Sequence, residues 1–400
     1  MKTTALFLLA GSLALSAGSF ITDKTDPEAA GMNPARLARI PTRMKEFVDA
    51  GKTAGVVTLV ARHGHVASLD AVGYRELESK AAMRPDTIFR IMSVTKPITC
   101  AGVMILVDEG RVSLIDPVEK YLPEFKGLKL NPCGTLAGYN CELVTPSRPV
   151  NILDLMTHTS GLPGAVPRGS GAPPNTLAEM VAGISMATLL FEPGTAWNYS
   201  NVGIAALGRI IEVVTGQPYD RFMAERIFQP LGMKDTFFFI PPDKESRVAA
   251  VYTYEDGGLK RATLQQSKFP TPEGGLLSTA TDLARFYQMM LGKGVLDGQR
   301  ILSAAAVEAM TTSQTGSMKA GYAPGVGQGL GFEVVREPLG TFRYNSIGSF
   351  VKSGAYRTYG WVDPAKDLVG IILFQRTNGG GDTADEINSF MAMAAAAIER

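Results

Sequence analysis

The sequence has little of what several common classes of enzyme and binding protein require. Its 400 residues include only three His and three Cys, and charged residues make up 19% of the chain. The 39 basic and 38 acidic residues leave a formal net charge of +1, so nothing in the composition indicates nucleic acid or an anionic membrane surface as a partner. The sequence Gly-x-Ser-x-Gly does not occur, which disfavours hydrolases with a nucleophile-elbow serine.

The three histidines do not form a recognisable metal site. His63 and His65 flank Gly64 in a predicted hairpin turn, where exposed polar residues are expected, and the sequence offers no further ligands for them. His158 lies at a predicted helix end, where we expect a hydrogen bond that fixes the loop. We therefore predict no metal and no cofactor, and a nucleophilic serine in this chain needs a base other than His.

The apolar run at the N terminus is too short to span a bilayer comfortably. It covers the 11 residues 5–15, follows Lys2 and precedes the small residues 16–19. This pattern is typical of a cleaved export signal. We predict a signal peptide over residues 1–19, an exported protein that is periplasmic or secreted, and no integral membrane span in the mature chain.

The cysteines divide into a pair and a single residue. Cys133 and Cys141 lie in one predicted loop rich in Gly, Pro and Asn, and in an oxidising compartment they can pair across it. Cys100 lies in an apolar helical run, so we expect it to be a buried small hydrophobic residue.

Predicted strands at both ends of the chain enclose a mostly helical middle. Strands are predicted at 55–61, 66–72, 87–91, 328–336, 341–346, 354–363 and 367–375, and helices at 33–50, 97–109, 151–157, 176–186, 201–215, 218–227, 280–292, 303–311 and 383–398. This order predicts an α/β fold, with an antiparallel sheet, terminal helices packed on it and an inserted all-helical domain. The predicted α/β domain combines 20–90 with 312–400, the helical domain covers 91–311, and the site lies in the cleft between them.

The first candidate for chemistry is Ser93-Val94-Thr95-Lys96, which follows a predicted strand and precedes an apolar helix. Residues three apart on a helix share a face, so the amine of Lys96 can reach the hydroxyl of Ser93. The positive N-terminal end of the helix, together with a second Lys nearby, disfavours protonated Lys96 and makes a neutral amine base feasible. Pro97 suits a first helical turn, although the residue before a proline avoids helical geometry.

The second candidate is Tyr199-Ser200-Asn201, which precedes a predicted helix. A phenol is a poor base at its ordinary pKa near 10, but adjacent ammonium groups favour the phenolate. Asn201 offers both a donor and an acceptor that can orient substrate or lysine. On its own, the triplet is equally compatible with a helix N-cap beside a packed Tyr.

The third candidate is Lys352-Ser353-Gly354, which opens a predicted β-run beginning at Ala355. The lysine supplies a cation, the serine a hydroxyl, and the glycine allows backbone or substrate to approach closely. The N–H of Ala355 would then face the same space as that of Ser93. A charged edge strand is the alternative interpretation of this triplet alone.

In this order the three triplets resemble the S-x-x-K, Y-x-N and K-T-G elements of the serine β-lactamase and penicillin-binding superfamily. The resemblance extends through residues 158–162, 230–233 and 274–279, covers about residues 30–398, and is closest to the family VIII carboxylesterases and class C β-lactamases. It implies the same α/β fold with a helical insertion. Ser353 replaces the usual Thr, and the bulky segment 356–364 resembles the esterase branch.

The resemblance implies a covalent mechanism. Ser93 would be the nucleophile, and Lys96 would be its base or would hold Tyr199 as the phenolate that takes the proton. These two assignments form a coupled set and remain open. Tyr199 would also activate the deacylating water, since no separate deacylating Glu is evident.

The remaining motif residues would bind the substrate. The N–H groups of Ser93 and Ala355 would form the oxyanion hole, while Lys352 and Ser353 would bind a substrate carboxylate or tune Tyr199. Asn201 and Gly354 would complete this substrate and oxyanion site.

The expected activity is that of a serine hydrolase acting on a small-molecule ester or β-lactam. The first hypothesis is a carboxylesterase for short-chain acyl esters that also hydrolyses β-lactams. A true class C β-lactamase is the alternative suggested by Lys352 and the export signal. A penicillin-binding or sensor protein that is acylated without turnover is the third.

Overall fold

The computed structural model describes residue 20 and residues 25–134, 141–165, 173–184, 186–377 and 385–399. The predicted signal peptide, 1–19, lies outside this part of the chain. The α-helices are α1 Pro34–Leu37, α2 Arg39–Asp49, α3 Thr95–Asp108, α4 Ile152–Thr157, α5 Leu177–Ile184, α6 Asn201–Thr215, α7 Tyr219–Met223, α8 Ala280–Leu291, α9 Ala304–Thr311 and α10 Asp385–Ala396. Within the described ranges, no helix is long and apolar enough to cross a membrane.

The strands are short outside one large sheet. They are β1 Gly55–Arg62, β2 His65–Glu76, β3 Ala81–Ala82, β4 Phe89–Arg90, β5 Tyr252–Glu255, β6 Gly258–Arg261, β7 Leu277–Ser278, β8 Val295–Leu296, β9 Gln299–Arg300, β10 Val326–Gln328, β11 Glu333–Val335, β12 Phe350–Gly354, β13 Thr358–Asp363, β14 Leu368–Leu373 and β15 Arg376–Thr377. A π-helical turn, Ala224–Phe228, follows α7, and 3-10 turns lie at Met92–Val94, Val118–Lys120, Pro123–Phe125, Pro242–Arg247, Gly340–Phe342 and Pro364–Lys366.

The large sheet joins the two ends of the chain. Its eight strands lie in the order β10-β11-β12-β13-β14-β1-β2-β3, and each neighbouring pair is antiparallel. The central contact pairs β1 with β14, for example Leu59 with Ile371. Because the strands come from 55–82 and 326–373, the sheet closes only when the segments on either side of the helical middle meet.

Each face of this sheet packs against its own layer of helices. Along β1, side chains alternate between the faces: Val57 and Leu59 join the core beneath the middle helices, while Val56 and Val60 join the core beneath α2 and α10. On the second face, the rings of Trp361 and Phe390 meet edge to face, with 5.4 Å between their centroids. The predicted fold class, an antiparallel sheet with terminal helices packed on it, is confirmed.

The middle of the chain is built mainly on α3 and α6, which contact each other. α3 is buried over residues 95–106, where most of its sequence is apolar. α6 begins at a Ser200 N-cap whose hydroxyl accepts from the Gly203 N–H at 3.1 Å, and it ends at a left-handed Gly216. The division into 20–90 with 312–400 and 91–311 stays a prediction.

Three predicted strands differ from the structure. The strand at 328–336 is wrong in its middle, because β10 ends at Gln328, β11 begins at Glu333, and the two pair antiparallel. The strand at 341–346 is wrong, because the chain forms the 3-10 turn Gly340–Phe342 there. The strand at 354–363 is also wrong at its start: β12 ends at Gly354, residues 355–357 turn, and β13 begins at Thr358. Arg357 takes a left-handed conformation in this turn, with φ of 62°, and its N–H donates to the Gly354 carbonyl at 2.9 Å.

The cysteines lie as the sequence suggests. Cys133 and Cys141 form a disulfide, with their Cα atoms 6.1 Å apart. Cys100 is buried in α3, and burial raises the pKa of its thiol to about 12, so it stays protonated.

Candidate active site

Ser93 lies in the 3-10 turn that leads directly into α3. The preceding Met92 has a left-handed backbone, with φ of 50°, which is uncommon for a residue with a side chain. Ile91 fixes the approach: its N–H donates to the Leu276 carbonyl at 3.0 Å, and its carbonyl accepts from the Thr358 hydroxyl at 2.7 Å. The strained turn is therefore held from two sides, by the β7 segment and by the sheet.

Lys96 reaches Ser93 as its position one helical turn later requires. Its Nζ donates to Ser93 Oγ at 2.9 Å and to the backbone carbonyl of Glu273 at 2.6 Å, and the residue is fully buried. Burial lowers the pKa of Lys96 below its ordinary value; the Tyr199 phenolate opposes this, and the charge of Lys352 adds to it. The net direction favours a neutral amine.

Tyr199 comes from the loop before α6 and lies between two lysine side chains. The Nζ atoms of Lys96 and Lys352 are each 4.9 Å from the centre of its ring. Burial alone raises the pKa of the phenol, but the charges of Lys352 and Lys96, together with its interactions with Lys96 and Ser93, outweigh burial. The pKa of Tyr199 consequently lies below its usual value of 10, which favours the phenolate.

Lys352 reaches this cluster from β12 in the large sheet. It is buried, and its Nζ lies 3.7 Å from Oε1 of the equally buried Glu333 on β11. The strands pair next to these residues, Glu333 opposite Val351. The site thus holds Lys96, Lys352 and Glu333 out of water, where charge interactions are strong.

Gly354 allows the end of β12 to lie against the Ser93 turn. A Cβ at this position would be 2.2 Å from Thr358 Oγ1 and 2.4 Å from the Ile91 carbonyl oxygen, so a side chain does not fit there. The next residue, Ala355, is exposed and lies in the turn between β12 and β13. The expectation that Ala355 lies on a strand is wrong, although the close approach of Gly354 does bring its neighbour to the Ser93 turn.

The other two predicted site residues lie on elements that carry members of this group or follow them directly. Asn201 is the first residue of α6, is half-buried, and donates its N–H to the Gly164 carbonyl at 3.1 Å. Ser353 is half-buried on β12 and pairs with Tyr359 of β13. The contacts of the site bring Ser93, Lys96, Tyr199 and Lys352 together. Asn201 lies two positions after Tyr199 in the chain, and residues 353–355 directly follow Lys352.

His158 supports Tyr199 in a way that the sequence did not indicate. Its ring centre is 4.6 Å from that of Tyr199, and its Nδ1 accepts from the Ser200 N–H at 3.3 Å. Burial, together with the charges of Lys352 and Lys96, moves the pKa of His158 well below its usual 6.5, so the ring is neutral. The expected hydrogen bond that fixes the loop is present, and the packing of the His158 ring on Tyr199 further restricts the position of that side chain.

Other residues at the site were not recognised from the sequence either. Trp197 and Tyr322 pack around Tyr199. The ring centre of Tyr322 is 5.4 Å from that of Trp197 and 5.5 Å from that of Tyr199. Burial raises the pKa of the Glu273 carboxyl, which favours its neutral form beside Lys96. The spacing of Trp197 and Tyr199 was a usable signal, since alternate residues of an extended segment point the same way; Tyr322 and Glu273 gave none.

The predicted absence of a metal was based on the scattered histidines. His63 lies in the exposed turn between β1 and β2. Its Nδ1 is 2.6 Å from Oδ2 of Asp367, which directly precedes β14. In the part of the chain that the structure covers, no three His, Cys, Asp or Glu side chains converge as metal ligands would.

The architecture defines a class of proteins, the β-lactamase-like serine hydrolases. The solved structure of EstCE1, described as a hydrolase with promiscuous acyltransferase activity, superposes with a TM-score of 0.75 over 91% of this chain and 99% of its own, at 22% identity. The Beta-lactamase family model matches residues 40–390, and the chain belongs to this family.

Two relatives align over most of their length. Protein Rv1367c of Mycobacterium tuberculosis (strain ATCC 25618 / H37Rv) is 34% identical over 356 residues, which is 83% of this chain and 88% of the relative. Esterase EstB of Burkholderia gladioli is 28% identical over 387 residues, 87% of this chain and 93% of its own. The predicted superfamily is confirmed, and the chain is a serine hydrolase.

Proposed function

We propose that this protein is a carboxylesterase for short-chain acyl esters that works through an acyl-enzyme on Ser93, with β-lactam hydrolysis as a weaker activity. The observation that carries the proposal is the 2.9 Å hydrogen bond between Lys96 Nζ and Ser93 Oγ, beside a phenol whose pKa is depressed. A hydroxyl, an amine and a phenol in contact are the parts that nucleophilic catalysis without histidine requires.

Acylation begins when Ser93 Oγ attacks the ester carbonyl carbon. Its proton passes to the Tyr199 phenolate or to neutral Lys96, which form one coupled set. The N–H groups of Ser93 and Ala355 hold the developing oxyanion. The carbonyl re-forms, the bond to the leaving oxygen breaks, and that oxygen takes up the proton and departs as the alcohol.

Deacylation reverses these steps, and water takes the place of the alcohol as the attacking group. Tyr199 removes a proton from the water as the water oxygen attacks the acyl carbon, and the bond to Ser93 Oγ then breaks. Ser93 recovers its proton, and the carboxylic acid leaves. Lys352 and Ser353 either bind a substrate carboxylate or tune Tyr199, while Asn201 orients the substrate.

The preference for esters over β-lactams rests on two observations. One relative of this chain, over nearly its full length, is named an esterase. The segment that follows the third motif carries bulky residues: Tyr356 lies in the turn and Trp361 on β13. The esterase branch that the sequence resembles has a similarly bulky segment.

Two substrates on one preparation test the proposal. We expect kcat/KM for p-nitrophenyl butyrate to exceed that for nitrocefin, and Ser93→Ala to lower both by about a thousandfold or more. Ser79→Ala, at an exposed serine in the turn before β3, is the matched control and should leave both values unchanged. Full turnover by Ser93→Ala would refute the covalent mechanism.

The same assay separates the alternatives. A preference for nitrocefin of more than about a hundredfold, or about 2.7 kcal/mol of transition-state stabilisation, would identify a class C β-lactamase. The observation that favours this candidate is the buried Lys352 beside Tyr199. A stable adduct on Ser93 in intact-mass spectra, without return of the unmodified mass, would instead identify a penicillin-binding or sensor protein.

The predicted export of the protein is also part of this proposal. Residues 1–19 would be removed, and the mature chain would act in the periplasm or outside the cell. The disulfide between Cys133 and Cys141 supports this location, because such bonds persist in oxidising compartments.

A further inference from the structure

A large cavity opens beside the Ser93 turn. Its volume is about 870 Å³, and it is bounded on the side of the site by Met92, Gly274 and Tyr356. Met92 immediately precedes Ser93, and Tyr356 immediately follows Ala355. Ligand pockets typically measure about 300–1,000 Å³, so this cavity is large enough for a substrate group next to the reacting carbonyl.

The cavity walls combine apolar and polar residues, and their apolar members include three side chains. Phe238, Leu264 and Phe269 line it together with the side chain of Met92. Glu245 also borders it but is exposed to solvent, where salt and water screen its charge. The apolar part of this lining can hold a short hydrocarbon arm of the substrate.

Arg90 places a cation in the wall of this cavity. Its Nη1 is buried without a hydrogen-bond partner among the described residues, and burial lowers the pKa of the guanidinium, with Tyr356 opposing the shift. The buried Arg357 and Arg376 differ, since both pair with Glu386. Arg90 is half-buried and has no carboxylate partner among the described residues, so a ligand that supplies the anion would stabilise it.

The backbone of Arg90 is fixed, which gives its side chain a defined origin. Its N–H donates to Gln375 Oε1 at 3.1 Å, its carbonyl accepts from Gln375 Nε2 at 3.1 Å, and it pairs with Leu277 across β4 and β7. Arg90 lies three positions before Ser93 in the chain, a span of about 10 Å at most. A short arm therefore bridges the two.

We propose that the substrate carries a carboxylate at the end of a short apolar arm, that this arm occupies the cavity, and that Arg90 binds the carboxylate. The inference rests on the proposed esterase function and names its substrate class: a hemiester of a short dicarboxylic acid, or an ester whose alcohol bears the carboxylate. Both sources present the same anion to Arg90, and the substrates below distinguish them.

The kinetic test compares charged with neutral substrates. The mono-p-nitrophenyl ester of adipic acid places the carboxylate on the acyl side, 4-acetoxybenzoate places it on the leaving side, and p-nitrophenyl butyrate is the neutral reference. For one of the two charged esters, we expect Arg90→Gln to lower kcat/KM relative to the neutral ester about tenfold or more, mainly by raising KM. Arg90→Lys should restore part of this preference. Arg84→Gln, at an exposed arginine paired with Asp86, is the charge-matched control.

Binding without turnover provides an independent test. On Ser93→Ala protein, monomethyl adipate should bind about tenfold or more weaker when Arg90→Gln is added, by isothermal titration calorimetry. A parallel loss of charged and neutral substrates, together with unchanged binding of monomethyl adipate, would overturn the inference. If no ester is hydrolysed through Ser93, the proposed function fails, but the calorimetry still decides whether Arg90 binds the carboxylate.

Discussion

At the scale of single residues, the chemistry of this site depends on where Tyr199 lies. The amines of Lys96 and Lys352 are equidistant from its ring at 4.9 Å, and both are buried. A cation this close stabilises the phenolate over the neutral phenol, because charge interactions are strong away from water. Two lysines therefore outweigh the burial that would otherwise raise the pKa of this phenol.

Removing one of these cations should move the pH profile. Lys352→Gln takes away a charge that lowers the pKa of Tyr199, so that pKa rises. With the phenolate as the base, the acidic limb of the profile of kcat/KM against pH should move upward.

The control for this shift is Lys45→Gln, at an exposed lysine on α2 that pairs with Asp49. Its profile should match that of the unaltered protein. Lys352→Gln alone leaves the carboxylate of Glu333 buried without its lysine. The double variant with Glu333→Gln removes that carboxylate as well, and its acidic limb should still move upward. An acidic limb that stays in place in both variants would contradict the phenolate assignment.

At the scale of elements, the site depends on how closely the end of β12 approaches the turn before α3. Gly354 leaves room for the Ile91 carbonyl, which also accepts a hydrogen bond from the Thr358 hydroxyl. The same contact brings Ala355 to the turn that carries Ser93. The oxyanion hole proposed above therefore depends on the absence of a single Cβ.

Adding that Cβ should damage catalysis more than folding. In Gly354→Ala, the new carbon would meet the Ile91 carbonyl oxygen at 2.4 Å, so the strand or the Ser93 turn must shift. A displacement near 1 Å costs about a hundredfold in rate, and we expect a loss of that size in kcat for p-nitrophenyl butyrate.

Gly183→Ala is the matched control for this prediction. Gly183 lies in α5, and beyond the backbone of its own helix no described atom lies within 4 Å of the point that a Cβ would occupy. This variant should keep full activity and gain up to about 1 kcal/mol of stability. Unchanged kcat in Gly354→Ala would show that the close approach of β12 does not matter for the chemistry.

At the scale of the whole molecule, the C-terminal helix is tied to the turn beside the site. Glu386 of α10 is buried, with Oε2 3.1 Å from Arg357 Nη2 and Oε1 3.6 Å from Arg376 Nη1. Arg357 belongs to the turn that contains Ala355. A single carboxylate near the end of the chain thus balances two buried cations, one of them two residues from the proposed oxyanion hole.

Loss of this carboxylate should lower stability strongly. Glu386→Ala leaves two buried guanidinium groups without their shared partner, and we expect the free energy of unfolding to fall by about 3–5 kcal/mol in urea titrations. Glu46→Ala is the control, since its pair with Arg43 is exposed and should contribute less than about 1 kcal/mol. A loss below about 1 kcal/mol in Glu386→Ala would show that the two arginines find other partners.

Local patterns in the sequence determined much of this structure. The bounds predicted for α4, α6 and α8 agree with the structure to within one residue, because their caps and apolar spacing are local signals. The contact between Ser93 and Lys96 follows from helical geometry alone, since three residues bring two side chains to one face. The resemblance to a known superfamily, rather than spacing, indicated that Tyr199 and Lys352 would join them.

Only the tertiary structure decided the surroundings of these residues. Glu333 faces Lys352, His158 packs on Tyr199, and Arg90 lines a cavity, each through contacts between segments far apart in the chain. The turn at 355–357 likewise interrupts a run of strand-forming residues, because β12 and β13 pair antiparallel and must reverse there. Local propensity carries no information on such partners, since burial and charge pairing arise only when the sheet closes around the helical middle.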